Sequence, residues 1–169
     1  MGSGKTTIGK QLAKAIGYQF VDLDHFIENR YRKTINQIFD EEGEPFFRDI
    51  EHALLLEVSS FENCVISTGG GVPCYFDNME IMNRAGTTVY LKATVDELCN
   101  RLREGQLIRR PLLKNQDINE LKNFISESLS KREMFYSQAK IIFDIKDFSV
   151  QEIIQGILTF NTLLDFHHG

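Results

Sequence analysis

The sequence contains few features of membrane, nucleic-acid-binding or disulfide-stabilised proteins. No apolar run reaches the roughly 18 residues of a membrane-spanning helix, and the net charge of -5 argues against general nucleic-acid binding. The three cysteines are odd in number and lack a C-x-x-C spacing, which disfavours a disulfide framework or a cysteine metal site. Reduced thiols in the cytoplasm are the simplest interpretation. The 169 residues show no internal repeat or linker, so we expect one domain over 1–169.

The sequence also lacks the front half of a phosphate-binding loop whose back half it carries. The full pattern is G-x-x-x-x-G-K-[ST], and Gly4, Lys5 and Thr6 supply its last three positions. The first glycine would fall five residues before Gly4, where the sequence has no residue. We therefore predict nucleotide triphosphate binding. We also expect an apolar strand of about five or six residues, followed by that glycine, to belong upstream of Met1.

The residue types of this loop suit phosphate chemistry. Gly2 and Gly4 let backbone N–H groups turn towards phosphate oxygens without obstruction by side chains. The Lys5 ammonium suits the β- and γ-phosphates, and the Thr6 hydroxyl suits Mg²⁺. Apolar residues then recur at helical spacing, so a helix N-terminus would reinforce the anion site. The alternative is an ordinary glycine-rich tail.

Short apolar runs alternate with amphipathic stretches along the rest of the sequence. Four runs are typical of strands, namely 19–24, 64–67, 87–91 and 141–145, and helical apolar stripes lie between them. This alternation predicts an α/β fold with a parallel sheet and helices on both faces. Ligands of such sheets bind at the carboxyl ends of the strands. The loop at the start, the acids after Val21 and the triple glycine after Ser67 all fall there.

Two aspartates follow the first predicted strand. Alternation would place Asp22 and Asp24 on the same side of that strand. One carboxylate would orient the water shell of a bound magnesium ion, and the other would accept a hydrogen bond from a substrate hydroxyl. The alternative is structural, with Asp24 capping a helix that starts at His25. The nearby phosphate loop favours the functional interpretation.

Two arginines and a glycine cluster are further site candidates. Arg48 lies three residues before Glu51, so an intrahelical ion pair explains it equally well. Arg132 lies one helical turn before Tyr136, and for both arginines a solvated surface charge remains the alternative. Arginine suits two-point binding of a carboxylate. Three consecutive glycines, Gly69–Gly71, are costly to order, which favours close backbone approach to a ligand over a simple turn.

The polar, basic segment after the third strand–helix unit has the composition of a lid. Residues 104–111 include Arg109 and Arg110, and closure over the γ-phosphate is one interpretation. An exposed loop with ordinary charges is the other.

Taken in order, these motifs resemble the shikimate kinase family. The matching stretches are 1–7, 20–24, 47–51, 67–71, 110–113 and 132–136, and the similarity extends to about Phe160. The phosphate loop is shared by a large superfamily, whereas the ordered combination is specific. The resemblance implies ATP-dependent phosphorylation of the 3-hydroxyl of shikimate, in aromatic amino-acid biosynthesis.

The resemblance also implies roles for individual residues. Gly2, Ser3, Gly4, Lys5, Thr6 and Thr7 would bind ATP, with Arg103 stacking on adenine and Arg110 reaching the phosphates from a lid at about 104–114. Asp24, Arg48, Gly69, Gly70, Gly71 and Arg132 would bind shikimate, the arginines through its carboxylate and Asp24 through its hydroxyls. Thr6 and Asp22 would hold Mg²⁺. Lys5, Asp24 and Arg110 would be catalytic, with Asp24 the candidate base.

The implied fold is a three-layer P-loop kinase with five parallel strands in the order 2-3-1-4-5. The sequence lacks a counterpart of strand one, and without that central strand we expect the sheet not to close. Shikimate and ATP are the expected partners, and the expected state is a cytoplasmic monomer. A gluconate kinase of the same fold and a nucleotide-binding module without turnover are the rival interpretations.

Overall fold

The computed structural model describes residues 2–109 and 118–167, with side chains described for 2–103 and 118–161. Four short parallel strands alternate with seven α-helices in this part of the chain. The strands are β1 (Gln19–Asp22), β2 (Cys64–Ser67), β3 (Val89–Lys92) and β4 (Ile141–Asp144). The helices are α1 (Lys5–Ile16), α2 (Leu23–Tyr31), α3 (Ile35–Ser59), α4 (Asn78–Ala85), α5 (Val95–Arg109), α6 (Ile118–Tyr136) and α7 (Val150–His167). The predicted α/β class and all four predicted strands are confirmed. None of the described helices is long and apolar enough to cross a membrane.

The described strands form two separate two-stranded sheets instead of one continuous sheet. β1 pairs in parallel with β2 from Gln19 opposite Cys64 to Asp22 opposite Ser67. β3 pairs in parallel with β4 from Val89 opposite Ile141 to Lys92 opposite Asp144. No described strand joins β2 to β3, so the five-strand order is not reproduced within residues 2–109 and 118–167.

Each sheet has its own group of buried apolar side chains. Around β1 and β2, the buried residues come mainly from α2 and α3, including Ile27, Leu55 and Val58. Around β3 and β4, they come from α1, α5, α6 and α7, including Cys99, Ile125 and Ile153. Each sheet is therefore covered mainly by its own helices, although α1 also packs against β1 and β2.

A cavity of about 780 Å³ lies between the two sheets. Val65 and Ile66 of β2 line one side, and Val89 and Leu91 of β3 line the other. Asn63, before the start of β2, and Ser3 and Lys5, beyond the carboxyl ends of the strands, also line the cavity. The cavity therefore extends along the full length of the strands. It thus runs along both unpaired strand edges and opens into the region where ligands are expected.

Helix α3 is interrupted near its middle. Gly43 has φ 82° and ψ 172°, and Pro45 follows two residues later. A backbone in this region cannot continue the helix, and proline removes a further helical hydrogen bond. A capping box of Thr34 and Gln37 fixes the start of α3. The second half of the helix consequently takes its own direction and carries Phe47, Arg48 and Glu51 towards the sheet edge.

Candidate nucleotide and acceptor site

The N-terminal loop has the backbone of an anion site. Gly2 has φ 67° and Gly4 has φ 88°, both in the left-handed region that favours glycine. Gly4 caps α1 without a side-chain hydrogen bond, so the first N–H groups of the helix remain available. Together with the helix dipole, these groups favour an anionic ligand at the loop. Lys5 and Thr6 lie in the first turn, as the loop pattern predicts.

Lys5 lies close to both aspartates that follow β1. Burial lowers the pKa of the Lys5 ammonium, and the charges of Asp24 and Asp22 oppose that shift. Burial raises the pKa of the Asp24 carboxyl, the neighbouring Asp22 carboxylate adds to the rise, and Lys5 opposes it. The three groups are therefore electrostatically coupled at the carboxyl end of β1.

The prediction that Asp22 and Asp24 alternate along one strand is wrong. β1 ends at Asp22, and Asp24 lies in the first turn of α2. The Asp22 carboxylate accepts a hydrogen bond from the His25 amide at 3.3 Å, so Asp22 and not Asp24 caps this helix. Capping ends the strand earlier than the apolar run suggests. Both carboxylates nevertheless lie near Lys5, since the charges of both raise the pKa of its ammonium group.

Thr6 and Asp22 meet as the resemblance implies for a metal pair. The Thr6 hydroxyl donates a hydrogen bond to Asp22 Oδ2 at 3.2 Å. A hydroxyl and a carboxylate are oxygen ligands of the kind that Mg²⁺ takes up with phosphate oxygens and water. The described residues contain no group of three or more acidic, histidine or cysteine side chains fit to hold a metal by themselves. The donor set thus suits an ion that arrives with a nucleotide.

The triple glycine provides room for two side chains of the site. A Cβ added to Gly69 would lie 2.8 Å from Asp24 Oδ1, and one added to Gly71 would lie 2.7 Å from Arg48 Nη1. Both separations are shorter than a Cβ tolerates without displacement. The Tyr136 hydroxyl donates a hydrogen bond to the Gly70 carbonyl at 2.6 Å. The glycines therefore bring Asp24, Arg48 and Tyr136 into direct contact with one backbone segment.

Arg48 is fixed by a buried ion pair. Its Nη1 donates to Glu51 Oε2 at 2.7 Å, and the two side chains are 13% and 2% exposed. The Arg48 guanidinium also lies over the ring of Tyr75, 4.1 Å from the centroid, with Phe47 at 5.1 Å. The intrahelical pair proposed as the structural alternative exists, and the guanidinium is nevertheless held at the glycine cluster. The two interpretations of Arg48 are thus compatible.

Arg132 reaches the same region from α6. It lines the cavity together with Gly69, Gly70 and Tyr136. Burial raises the pKa of the Tyr136 hydroxyl, and the neighbouring Arg132 opposes that rise. Its charge and that of Arg48 both lower the pKa of the Cys74 thiol, although burial outweighs them and the net shift is upward. The two arginines predicted to form a carboxylate clamp therefore approach the glycine cluster from different elements.

Other predicted residues lie outside this cluster or outside the described residues. Arg103 is exposed on α5. Arg110 and the rest of the predicted lid, residues 110–114, lie outside the described residues, whereas the backbone of 104–109 belongs to α5. The segment before Arg110 is thus helical where a loop was one interpretation.

Sequence reasoning missed contacts that depend on chain folding. Arg101 approaches the loop, with Nη1 3.4 Å from the Gly2 carbonyl oxygen. Glu44 contacts Arg48 from the same helix, and Tyr75 contacts it from a distant part of the sequence. Helical spacing offers a signal for Glu44, four residues before Arg48, whereas no sequence pattern signals Tyr75 or Arg101.

Comparisons with known proteins place the chain among relatives of one family. The shikimate kinase family model matches residues 1–162. A curated shikimate kinase of Parabacteroides distasonis is 54% identical over 157 residues, which is 93% of this chain and 90% of that protein.

Two solved structures are also similar to the chain. The crystal structure of shikimate kinase from Bacteroides thetaiotaomicron has a TM-score of 0.81 and 44% identity, covering 98% of this chain and 94% of that one. Shikimate kinase from Acinetobacter baumannii, solved in complex with shikimate, has a TM-score of 0.82 and 32% identity, covering 96% and 88%. The chain belongs to the shikimate kinase family.

Proposed function

We propose that this protein transfers the γ-phosphoryl group of ATP to the 3-hydroxyl of shikimate, giving shikimate 3-phosphate and ADP for aromatic amino-acid biosynthesis. The observation that carries the proposal is the convergence of Asp24, Arg48 and Arg132 on the triple glycine, beside the Lys5 loop. Family membership and the shikimate complex of the Acinetobacter baumannii relative support the choice of acceptor.

The loop at Gly2–Thr7 is the proposed ATP-phosphate site. Backbone N–H groups and the α1 N-terminus bind phosphate oxygens, and Lys5 adds a positive charge next to them. Thr6 and Asp22 would hold Mg²⁺, Asp22 through a water molecule. Bound Mg²⁺ would offset negative charge on the transferring phosphoryl group. The lowered pKa of Lys5 reflects desolvation of its ammonium group, which strengthens its interaction with an anion.

Arg48, Arg132 and Gly69–Gly71 are the proposed acceptor site. The two guanidinium groups bind the shikimate carboxylate, since arginine offers paired donors in a fixed plane. The backbone of the glycines approaches the ring closely because no side chain intervenes. A hydroxyl of the same substrate then lies at Asp24, which contacts Gly69.

Asp24 is the proposed acceptor of the substrate hydroxyl proton. A general base is most effective when its pKa lies near the working pH, and the raised pKa of the Asp24 carboxyl moves it in that direction. Little basicity is required if the phosphoryl transition state is loose, so its main contribution is orientation. Arg110, on a lid at about 104–114, would reach the phosphates, and Arg103 would stack on adenine. Both lie on or after α5, whose N-terminal half packs against the loop at Gly2.

The sheet would be completed by a central strand, giving the order 2-3-1-4-5. The support is the cavity between β2 and β3, which is lined by apolar side chains and runs along two parallel, unpaired strand edges. At the carboxyl ends of β2 and β3 the cavity reaches Ser3 and Lys5, where a strand that leads into the phosphate loop would end. A strand buried on both faces matches that lining.

The proposed state is a cytoplasmic monomer that binds no nucleic acid. The three cysteines form no disulfide, which suits a reducing compartment.

A coupled ADP-release assay with shikimate, with gluconate and without an acceptor tests this function. We expect ADP formation that depends on both shikimate and Mg²⁺. Equal turnover with gluconate would support the rival kinase. ATP binding without turnover would support a nucleotide-binding module.

A further inference from the structure

Two glutamates of very different burial hold the Arg48 guanidinium. Glu51 accepts from Nη1 and is 2% exposed, so it is a fixed part of the interior. Glu44 accepts from Nε at 3.2 Å and from Nη2 at 2.9 Å through its Oε1 atom, and its side chain is 51% exposed. Glu44 can therefore leave Arg48 for solvent at little cost, whereas Glu51 cannot.

Tyr75 holds Glu44 in this place. Its hydroxyl donates to the same Glu44 Oε1 at 2.8 Å, while its ring covers the Arg48 guanidinium. Hydrogen bonds from Tyr75 and Arg48 lower the pKa of the Glu44 carboxyl, so it is ionised at neutral pH. Glu44 directly follows the interruption of α3 at Gly43, and Tyr75 directly follows the 3₁₀ turn Val72–Cys74. The contact thus links two chain segments at the rim of the proposed acceptor site.

Glu44 occupies the edge of Arg48 that suits a carboxylate ligand best. Two-point binding uses two parallel N–H groups, and the Nε and Nη2 groups form such a pair. Of the remaining donors, Nη1 already serves Glu51. Arg132 also acts on the charge of Glu44, so this carboxylate lies in the field of both clamp arginines. It resembles, in charge and position, the acceptor carboxylate that the clamp would bind.

We propose that Glu44 is an internal competitor for the acceptor carboxylate, which displaces it from Arg48, and that Tyr75 is a positioning residue that holds Glu44 until then. The inference rests on the proposed function in that Arg48 must bind the carboxylate of the acceptor. The inference predicts that shikimate binds more weakly than it would if Arg48 and Arg132 were free of Glu44. Before shikimate binds, Glu44 neutralises the Arg48 charge, so a ligand without a carboxylate cannot take the place of Glu44 and is rejected.

Calorimetric titration of shikimate into the protein and its variants tests the inference. Glu44→Gln keeps the shape and removes the charge, and we expect shikimate to bind about two- to five-fold more tightly, the range for loss of an exposed ion pair. Tyr75→Phe removes the hydroxyl but keeps the ring, and a smaller gain is expected. Tyr75→Leu also removes the ring over Arg48 and should weaken binding. Glu42→Gln, an exposed position on the same helix, is the matched control and should change nothing.

Two further measurements distinguish competition by Glu44 from a purely supporting role. The methyl ester of shikimate lacks the charge that competes with Glu44, so Glu44→Gln should not improve its binding. The KM for ATP should stay constant in all four variants. Unchanged or weaker shikimate binding in both Glu44→Gln and Tyr75→Phe would overturn the inference and make Glu44 a support of Arg48. Absence of shikimate binding to the unaltered protein would instead overturn the proposed function.

Discussion

The Asp24 carboxylate lies in surroundings that oppose its charge. Partial burial and the Asp22 carboxylate raise its pKa, and the charges of Lys5 and Arg48 reduce the rise. Groups in such positions often trade stability for function. Asp24 also contacts Gly69, where a substrate hydroxyl is proposed to bind. A carboxylate whose negative charge is disfavoured by its surroundings is therefore consistent with a role in substrate binding or catalysis.

Replacing Asp24 by Asn should abolish most activity and stabilise the fold. Loss of the carboxylate that orients the substrate hydroxyl and accepts its proton lowers kcat by about 10²- to 10⁴-fold. Relief of the charge raises the unfolding free energy only slightly at neutral pH, because solvent screens the exposed Asp24 side chain. Because the folded pKa lies above the ordinary 3.8, the wild type loses stability as pH rises through that window. The gain should therefore vanish below pH 3.8. Thermal melts across pH, with the exposed Asp40→Asn as control, check this.

The two clamp arginines should differ in what their loss does to the fold. Arg132→Ala should weaken shikimate binding by roughly 2–5 kcal/mol and leave ATP binding nearly unchanged. Arg48→Ala should do the same and also destabilise the protein by about 3–5 kcal/mol, because Glu51 is left buried and unpaired. Titration calorimetry and denaturant unfolding measure the two effects.

Two controls accompany the arginine variants. Arg84→Ala removes an ion pair with Glu80 whose members are both 68% exposed, and it should change neither property. The double variant Arg48→Met, Glu51→Gln removes the buried charges together and should regain stability without shikimate binding. Normal shikimate affinity in Arg48→Ala and Arg132→Ala would mean that neither arginine binds the acceptor.

At the scale of elements, the glycine segment after β2 decides how closely the helices approach the site. Gly71 lies against the guanidinium from α3, Gly69 against the carboxylate from α2, and Gly70 receives the Tyr136 hydroxyl from α6. Side chains from three helices thus contact one short loop. A side chain at Gly69 or Gly71 would displace the Asp24 or Arg48 side chain.

Gly71→Ala should displace Arg48 and weaken shikimate binding by about tenfold, with a stability cost of about 1–3 kcal/mol from overpacking. The added methyl group would lie 2.7 Å from a guanidinium that Glu51 holds in place. Gly86→Ala is the matched control, because nothing lies within 4 Å of its added Cβ. Affinity equal to wild type in Gly71→Ala, measured by calorimetry, would show that Arg48 does not need its observed position.

At the scale of the whole molecule, the main feature is the separation of the two sheets by the cavity between them. Each sheet has its own buried apolar group, and β2 and β3 leave one edge unpaired within the described residues. Unpaired backbone groups and apolar cavity walls both cost free energy. An element that fills the cavity should therefore stabilise both halves together.

Fusing an apolar strand of about six residues and a glycine-containing turn ahead of Gly2 should raise the thermal midpoint and tighten ATP binding. Each 1 kcal/mol gained corresponds to about 2–4 °C for a chain of this size. A fusion of equal length with alternating aspartate and serine is the control and should give no gain. Hydrogen exchange should slow at the β2 and β3 amides only in the apolar fusion. Equal midpoints for both fusions would contradict a strand in this cavity.

The sequence by itself determined the α/β class, the four strands and the phosphate loop that carries Lys5. These follow from local patterns, since apolar periodicity and a phosphate loop are written in neighbouring residues. The ordered motifs also identified the family before any geometry was known. The sequence did not place Asp22 and Asp24 correctly, because the cap that ends β1 is a backbone contact that alternation ignores.

Only the tertiary structure decided which distant residues share one site. The contacts of Tyr75 with Arg48 and Glu44, of Tyr136 with Gly70 and of Arg101 with Gly2 join separate elements. Their geometry depends on how the helices pack on the two sheets, and side chains far apart in the sequence carry no local signal of it. The division into two sheets has the same origin, because strand pairing is a long-range interaction that a run of apolar residues cannot specify.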